Sequence, residues 1–232
     1  MIIDSHIVSS TDYYNEVAPC YNSQQTGSDD IVREQVREIF RSRVPKGDVL
    51  DLGGGTGLDL GWLTTGGYHV FFVEPSVNMR SLAMQMQIFR EENAPLSFIE
   101  ENTNVYEWSP DHLPFQEKMD GVLLNFAVLN SIKDPDLFFE KIRTVCKPGC
   151  FLIMTVISGR LGIILKRYGT SHFIKHIVKG SFISYTHFNG LIHETFIYSP
   201  QRIKKSSGSY FHFLSCAPIP FSGFDLVILS AK

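Results

Sequence analysis

The segment Asp51-Leu52-Gly53-Gly54-Gly55-Thr56-Gly57 has the residue types and spacing to do chemistry. It joins a short apolar run to a helix. Glycines at such a junction let the chain turn tightly and let a ligand touch the main chain. The helix N-terminus beyond them favours a negative group. Spacing then separates the ligand classes. A dinucleotide loop wants G-x-G-x-x-G/A; counted from Gly53 the last position is Leu58, and from Gly55 it is Leu60, so both fail. The run reads as D-x-G-x-G-x-G. Asp51 at the lip would repel a diphosphate but suits a ligand carrying an ammonium. Val73-Glu74-Pro75 ends the next apolar run. An acid about 20 residues past the glycines, at a strand end, can accept hydrogen bonds from both ribose hydroxyls. Alone, Glu74 could serve a nicotinamide cofactor as well, or be an ordinary solvated charge.

These residues need elements to position them. A helix is predicted from Ser28 as N-cap, with Asp29 and Asp30 in its first turn and Val32, Val36, Ile39 and Phe40 at helical spacing. Strands are predicted at 49–52, 70–73, 96–99, 121–124 and 151–156, with a helix over 76–90 and another opening at Asp134-Pro135. Alternation of this kind implies a parallel sheet covered on both faces. The pattern changes after Ser158. A helical stretch over 160–178, with a possible break at Gly169, precedes two β-prone runs joined by Asn189-Gly190, a strong hairpin signal. A short helix capped by Ser199-Pro200 and two strands, at 211–216 and 224–229, close the chain. The expected fold is α/β, Rossmann-like and doubly wound. Its mostly parallel seven-stranded sheet has helices on both faces and an inserted helix-plus-hairpin cap. One domain spans 1–232: an N-terminal lid segment (1–27), a cofactor-binding core (28–157), a substrate cap (158–198) and C-terminal strands completing the sheet (199–232).

S-adenosylmethionine (SAM) suits the glycine loop, because it carries an α-ammonium, an α-carboxylate and a sulfonium and no phosphate. Several segments, in order, resemble class I SAM-dependent methyltransferases of the ubiquinone/menaquinone-methylase-like superfamily. Tyr14-Asn15-Glu16-Val17-Ala18-Pro19-Cys20-Tyr21-Asn22 is similar to the family's N-terminal aromatic segment, with Asn22 in place of the usual aspartate. The run 49–57 resembles its glycine motif, and Glu74-Pro75-Ser76-Val77-Asn78-Met79 its acid-x-S-x-x-M stretch. Leu113-Pro114-Phe115, Met119-Asp120-Gly121-Val122 and Arg143-Thr144-Val145-Cys146-Lys147-Pro148-Gly149-Cys150 match later landmarks, with Cys150 for a glycine; Tyr198-Ser199-Pro200 resembles a further one. The resemblance implies a methyltransferase that binds SAM and releases S-adenosylhomocysteine. It assigns cofactor contacts to Tyr14, Tyr21, Asp51, Gly53, Gly54, Gly55, Gly57, Glu74, Pro75, Met79, Asn102, Asn125 and Phe126. Of these, Tyr14 and Tyr21 would close over the methionine end, and Asn102 stands where the family usually has an aspartate reading adenine. Asparagine at 22 and 102 keeps open an alternative, a SAM-binding protein without methylation activity.

Methyl transfer needs aligned reactants, and only some acceptors need a general base. His187 and His193, on the predicted hairpin, are the candidate bases; a two-residue loop pairs Thr186 with His193 and Tyr185 with Glu194. The acceptor is expected to be a small molecule. A formal net charge of -3 gives no global attraction to nucleic acid, and Asn125-Phe126-Ala127-Val128 is not the N/D-P-P-Y/F pattern of base-modifying relatives. The glycine spacing argues against a nicotinamide-dependent oxidoreductase. Four cysteines lack zinc spacing, and His172 with His176 has no acidic third ligand nearby, so no metal is expected. The chain shows neither a signal peptide nor an apolar run long enough to span a bilayer, so a cytoplasmic protein is the default. The stretch 160–179 mixes apolar and basic residues. It reads first as a cap with a solvated charged side, and membrane contact is the less favoured reading.

Overall fold

The computed structural model describes residues 6–88 and 95–232. Its central sheet is built from β2 (Gly47–Leu52), β3 (Tyr68–Val73), β4 (Leu96–Ile99), β5 (Met119–Leu124), β6 (Cys146–Ile157), β9 (Phe211–Pro218) and β10 (Phe224–Ala231). These labels also count β1 (His6–Ile7), β7 (Ser181–Phe188) and β8 (Leu191–Tyr198), which form a separate small sheet. The main order is β4-β3-β2-β5-β6-β10-β9. The β2–β3, β3–β4, β2–β5 and β5–β6 pairs are parallel, and β10 runs antiparallel to both β6 and β9.

Period-two alternation divides the strands between two cores. Leu50, Leu52, Phe71, Val73, Val122 and Leu124 point to one face. There they meet Phe138, Phe139 and Ile142 of α5 (Pro135–Val145) and Ile203 of α7 (Pro200–Ser207). Val49, Val70, Phe72 and Leu123 point to the other. They meet Val32, Val36 and Phe40 of α2 (Gly27–Arg43), Leu60 and Leu63 of α3 (Leu60–Thr65), and Ala83 of α4 (Val77–Ile88). In the central strands β2, β3, β5 and β6 both sheet faces are covered, so their buried positions are mostly apolar, as a doubly wound sheet requires.

Element ends depart from the sequence reading where a side chain offers a better cap. The N-cap of α2 is Thr26, two residues before the expected Ser28, because the Asp29 carboxylate accepts from the Thr26 N–H at 2.7 Å and closes a capping box. β6 begins at Cys146, ahead of the expected 151, so Lys147-Pro148-Gly149 lies inside it; there Gly149 takes φ +80° and the register with β5 shifts. The helix expected to run to Arg90 is described to Ile88; its last two residues lie outside the described range.

The N-terminal segment, for which no helix was expected, contains one. Ser10–Tyr21 forms α1, capped by Ser9, whose Oγ accepts from the Asp12 N–H. α1 buries Tyr13, Val17 and Ala18 against Met79. The residues before it form β1, which pairs parallel to β8. After β6 comes α6 (Leu161–Lys179), interrupted by non-helical Gly169 at φ 80°, ψ 179°. The β7–β8 hairpin follows. Asn189 and Gly190 take φ 47° and 81°, the type I′ geometry their identities favour, and Thr186 lies opposite His193.

Candidate functional site

β2 and β5 are neighbours, and their connections leave in opposite directions, so a crevice opens beyond their C-terminal ends. The glycine loop leaves β2 there. The Gly53 N–H donates to the Val73 carbonyl at 2.7 Å, and the Gly57 N–H to the Gly54 carbonyl at 3.0 Å. Gly53, Gly55 and Gly57 take φ of +70°, +59° and +77°, a region that penalises side chains. The glycines differ in what surrounds them. A Cβ at Gly54 would lie 2.2 Å from the Phe72 ring, so Gly54 is needed for packing. A Cβ at Gly55 would meet nothing within 4 Å. Gly55 therefore presents bare backbone to open space.

That space is a cavity of about 240 Å³, lined on the loop side by Leu52, Gly53 and Gly55 and at the β3 end by Glu74 and Pro75. Met79 of α4 and Tyr14 and Tyr21 of α1 complete one wall. Asn125, Phe126 and Ala127, after β5, form the opposite wall with Val128, Ser131 and Ile132. The Glu74 carboxylate accepts from the Gly55 N–H at 2.9 Å and the Ser76 N–H at 2.8 Å. Burial raises its pKa, and these two N–H groups and Arg80 oppose the rise. Burial also raises the pKa of the Tyr14 and Tyr21 hydroxyls, so both are neutral donors at physiological pH.

Asp51 lies beneath the loop, not in the cavity wall. It borders a narrow cleft with Arg33, Asp59 and Asn125. One of its carboxylate oxygens is buried without a hydrogen-bond partner. Its pKa is raised well above the usual carboxylate range, by burial first and then by Asp59. Asp59 is better satisfied: it accepts from Arg33 at 2.7 Å, Asn125 Nδ2 at 3.0 Å and Trp62 Nε1 at 2.9 Å. Asn125 Oδ1 in turn accepts from the Phe126 N–H and from Thr155 Oγ1, each at 3.0 Å. This network holds Phe126 and Ala127 at φ 54° and 67°, consecutive left-handed residues at the cavity wall. The Arg33 guanidinium also lies 4.3 Å from the Phe126 ring centroid.

The N-terminal segment is latched to the core. Asn15 Oδ1 accepts from Ser76 Oγ at 2.7 Å and from the Asn78 N–H at 3.1 Å. Thr56 Oγ1 donates to Asn22 Oδ1 at 2.6 Å, so the asparagine retains an acceptor where the resembled family has a carboxylate.

Of the residues singled out from sequence, Tyr14, Tyr21, Gly53, Gly55, Glu74, Pro75, Met79, Asn125 and Phe126 come together in the cavity wall. Gly54 and Asp51 form the adjoining cleft, and Gly57 packs on Ala83. Asn102 does not line the cavity: it sits at φ 51°, its Nδ2 donates to the His112 carbonyl at 3.2 Å, and its buried Oδ1 has no partner. Thr103, Asn104 and Val105 hold that side of the wall instead. Neither histidine reaches the cavity. His187 is exposed on β7. His193 is buried on β8, stacked on Tyr13 at 5.1 Å between centroids and edge-on to Tyr14 at 5.6 Å, and burial lowers its pKa. The hairpin face carrying His193 packs against α1, so α1 presents Tyr14 to the cavity in its place. Arg33, Asp59 and Thr155 were missed from sequence. Each lies on a different element, and only the presence of charged or hydroxyl residues within apolar stretches hints at them.

A family model described as a methyltransferase domain matches residues 25–195. The chain belongs to the methyltransferase family. No curated protein matches this methyltransferase by sequence. Among solved structures it is similar to DhpI in complex with S-adenosylhomocysteine, at 18% identity and TM-score 0.68, over 96% of this chain and 95% of that one. It is also similar to the PH0226 protein of Pyrococcus horikoshii OT3, at 18% identity and TM-score 0.64, over 95% and 99% of the two chains. The glycopeptide N-methyltransferase MtfA, complexed with sinefungin, matches at 12% identity and TM-score 0.62 over 87% of each chain. The fold is the one these structures share, and the ligands bound to two of them are S-adenosylhomocysteine and sinefungin.

Proposed function

We propose that this methyltransferase moves a methyl group from SAM to a small acceptor that is uncharged or carries an amine, and that no histidine acts as base. The cavity residues suit the cofactor. Glu74 offers two carboxylate oxygens for ribose hydroxyls, the bare backbone at Gly55 admits close approach, and Asp51, Asp59 and Glu74 favour a ligand carrying positive charge. SAM supplies an electrophilic methyl on a sulfonium, which leaves as a neutral thioether when the acceptor's lone pair forms the new bond.

The observation that carries the acceptor class is the charge of the wall. Its described lining contains no Lys, Arg, His or Cys, and Glu74 is its one carboxylate. A carboxylate or phosphonate acceptor would enter without a cation to meet it. A neutral amine already presents a lone pair and needs alignment above all, which Tyr14, Phe126 and Ser131 can give by shape and hydrogen bonding. Its surplus proton leaves to solvent after transfer.

Calorimetric titration with S-adenosylhomocysteine, with NADH as control, tests the cofactor half. Micromolar binding of the former alone supports it. Turnover of SAM against panels of amines, phenols, carboxylates and phosphonates tests the acceptor half. Turnover confined to the anionic panels would overturn it, and binding without turnover on any panel would favour a SAM-binding protein that does not methylate.

A further inference from the structure

The chain's charge is sharply segregated. Residues 141–224 hold eleven Lys and Arg against one acid, Glu194; the remainder holds ten against twenty-three. Much of the basic part folds into one connected region. The Ser199 N–H donates to the Gly180 carbonyl at 2.8 Å, which joins the end of α6 and the start of β7 to the start of α7. Lys179 and Arg202 border two adjoining clefts there, with Lys133 and Lys175 beside one and Lys205 beside the other. Asp136, paired with Arg202, is an acid facing this region.

Apolar side chains are exposed on the same elements. Of twelve large hydrophobic residues exposed among the described ones, seven fall between 161 and 185. Val178 is 76% exposed and Ile174 61%. Their spacing matters as much as their exposure. In the turns after Gly169, Ile174, Ile177 and Val178 share one stripe by i, i+3, i+4 spacing, and Lys175 and Lys179 flank it. His176, buried and hydrogen-bonded to the Gly159 carbonyl at 2.7 Å, marks the opposite side, where α6 meets the core. The helix thus turns its aliphatic stripe outward, the reverse of a helix that merely caps a core.

We propose that this face of α6, with β7 and the start of α7, docks on an anionic lipid bilayer, with Ile174, Ile177 and Val178 entering the headgroup boundary and the surrounding Lys and Arg meeting lipid phosphates. An outward aliphatic stripe flanked by lysines is the composition of an interfacial helix. A second copy fits poorly. Two such faces would bring Lys175 and Lys179 against their own copies, and no acid stands between residues 141 and 193 to pair with them. A nucleic acid fits poorly too, because Ile and Val offer no ring for base stacking.

The test is co-sedimentation of the full chain with vesicles of phosphatidylglycerol and phosphatidylcholine in equal parts, and with phosphatidylcholine alone. Binding to the anionic vesicles, weakened by salt, is expected. Each juxtamembrane Lys is worth about fivefold in partitioning, so Lys175→Glu with Lys179→Glu weakens it at least about 25-fold. Ile177→Ser with Val178→Ser also weakens it by removing the inserted stripe. All four side chains are exposed, and an unchanged circular dichroism spectrum and melting temperature confirm that the variants fold. Absence of binding to anionic vesicles, equal binding to both vesicle types, or binding unmoved by both double variants would each overturn the proposal.

Discussion

At the scale of single residues, Asp51 gives the site its sharpest stability signature. Its carboxyl is buried beside Asp59 and Glu74 with one oxygen unpartnered, and its pKa in the folded chain is raised. A carboxyl of this kind holds its proton more tightly folded than unfolded. Below about pH 4 both states are protonated and the group costs nothing; as pH rises toward the elevated folded value, only the unfolded chain ionises and stability falls. Asp51→Asn is therefore expected to melt at higher temperature than the parent at neutral pH without cofactor, with the gap closing toward about pH 4. The same variant should bind S-adenosylhomocysteine at least about tenfold more weakly, because it removes a carboxyl whose ionised form the ligand's ammonium would stabilise. Melting curves at both pH values check the first expectation and calorimetry the second. Glu74→Ala and Gly55→Val address the cavity directly. Glu74→Ala removes both carboxylate oxygens proposed for the ribose, and Gly55→Val puts a branched side chain into open space at φ +59°. Both should lose measurable cofactor binding while unfolding cooperatively. Retained affinity in either one would mean that the ligand lies elsewhere.

Among the elements, legibility followed where the stabilising interactions lie. The β2-loop-α3 turn, the Asp134-Pro135 start of α5 and the Asn189-Gly190 hairpin rest on local preferences, and all three stand where the sequence reading put them. α1 was not foreseen. It carries an internal Pro19 and only two aliphatic residues, Val17 and Ala18, and it is held by tertiary contacts: Tyr13 on His193, Asn15 on Ser76 and Asn78, and Val17 beside Met79. Such a helix depends on its partners more than on propensity. The placement of His187 and His193 away from the cavity was not legible for the same reason. Alternation gives the two faces of the hairpin but not which one α1 covers. This packing makes Tyr14 the residue to test on α1. Tyr14→Phe keeps the ring against Tyr21 and His193 and should change S-adenosylhomocysteine affinity less than about threefold. Tyr14→Ala opens that wall and should weaken binding by about tenfold or more, read by the same titration. Equal affinity in all three proteins would mean that α1 does not close on the cofactor.

The whole molecule is a doubly wound sheet with one reversed strand, and that strand also anchors the cap. The chain leaves the sheet after β6 through Ser158, Gly159 and Arg160, and returns to it only at β9. Asp225 near the start of β10 fixes the departure. Its buried carboxylate accepts from Ser158 Oγ and Arg160 Nε, each at 2.9 Å, and Arg160 reaches on to the Cys216 carbonyl at 3.0 Å. The three contacts join the exit of β6, the first turn of α6, β9 and β10 at one point. Charge pairs at surfaces contribute little, but removing one partner of a buried carboxylate leaves an uncompensated charge. Arg160 is itself partly exposed, so the cost lies below that of a fully buried pair. Arg160→Ala should cost about 2 kcal/mol in urea unfolding. Asp225→Asn in the Arg160→Ala background should recover part of that loss, because the neutral amide needs no counter-charge. A purely local role would leave the cap unaffected. Loss of the anchor instead predicts faster amide exchange along α6 in Arg160→Ala, with the exchange of β2 and β5 unchanged under native conditions. Uniform acceleration across sheet and cap would show that Asp225 and Arg160 support the fold as a whole and not the junction between its two parts.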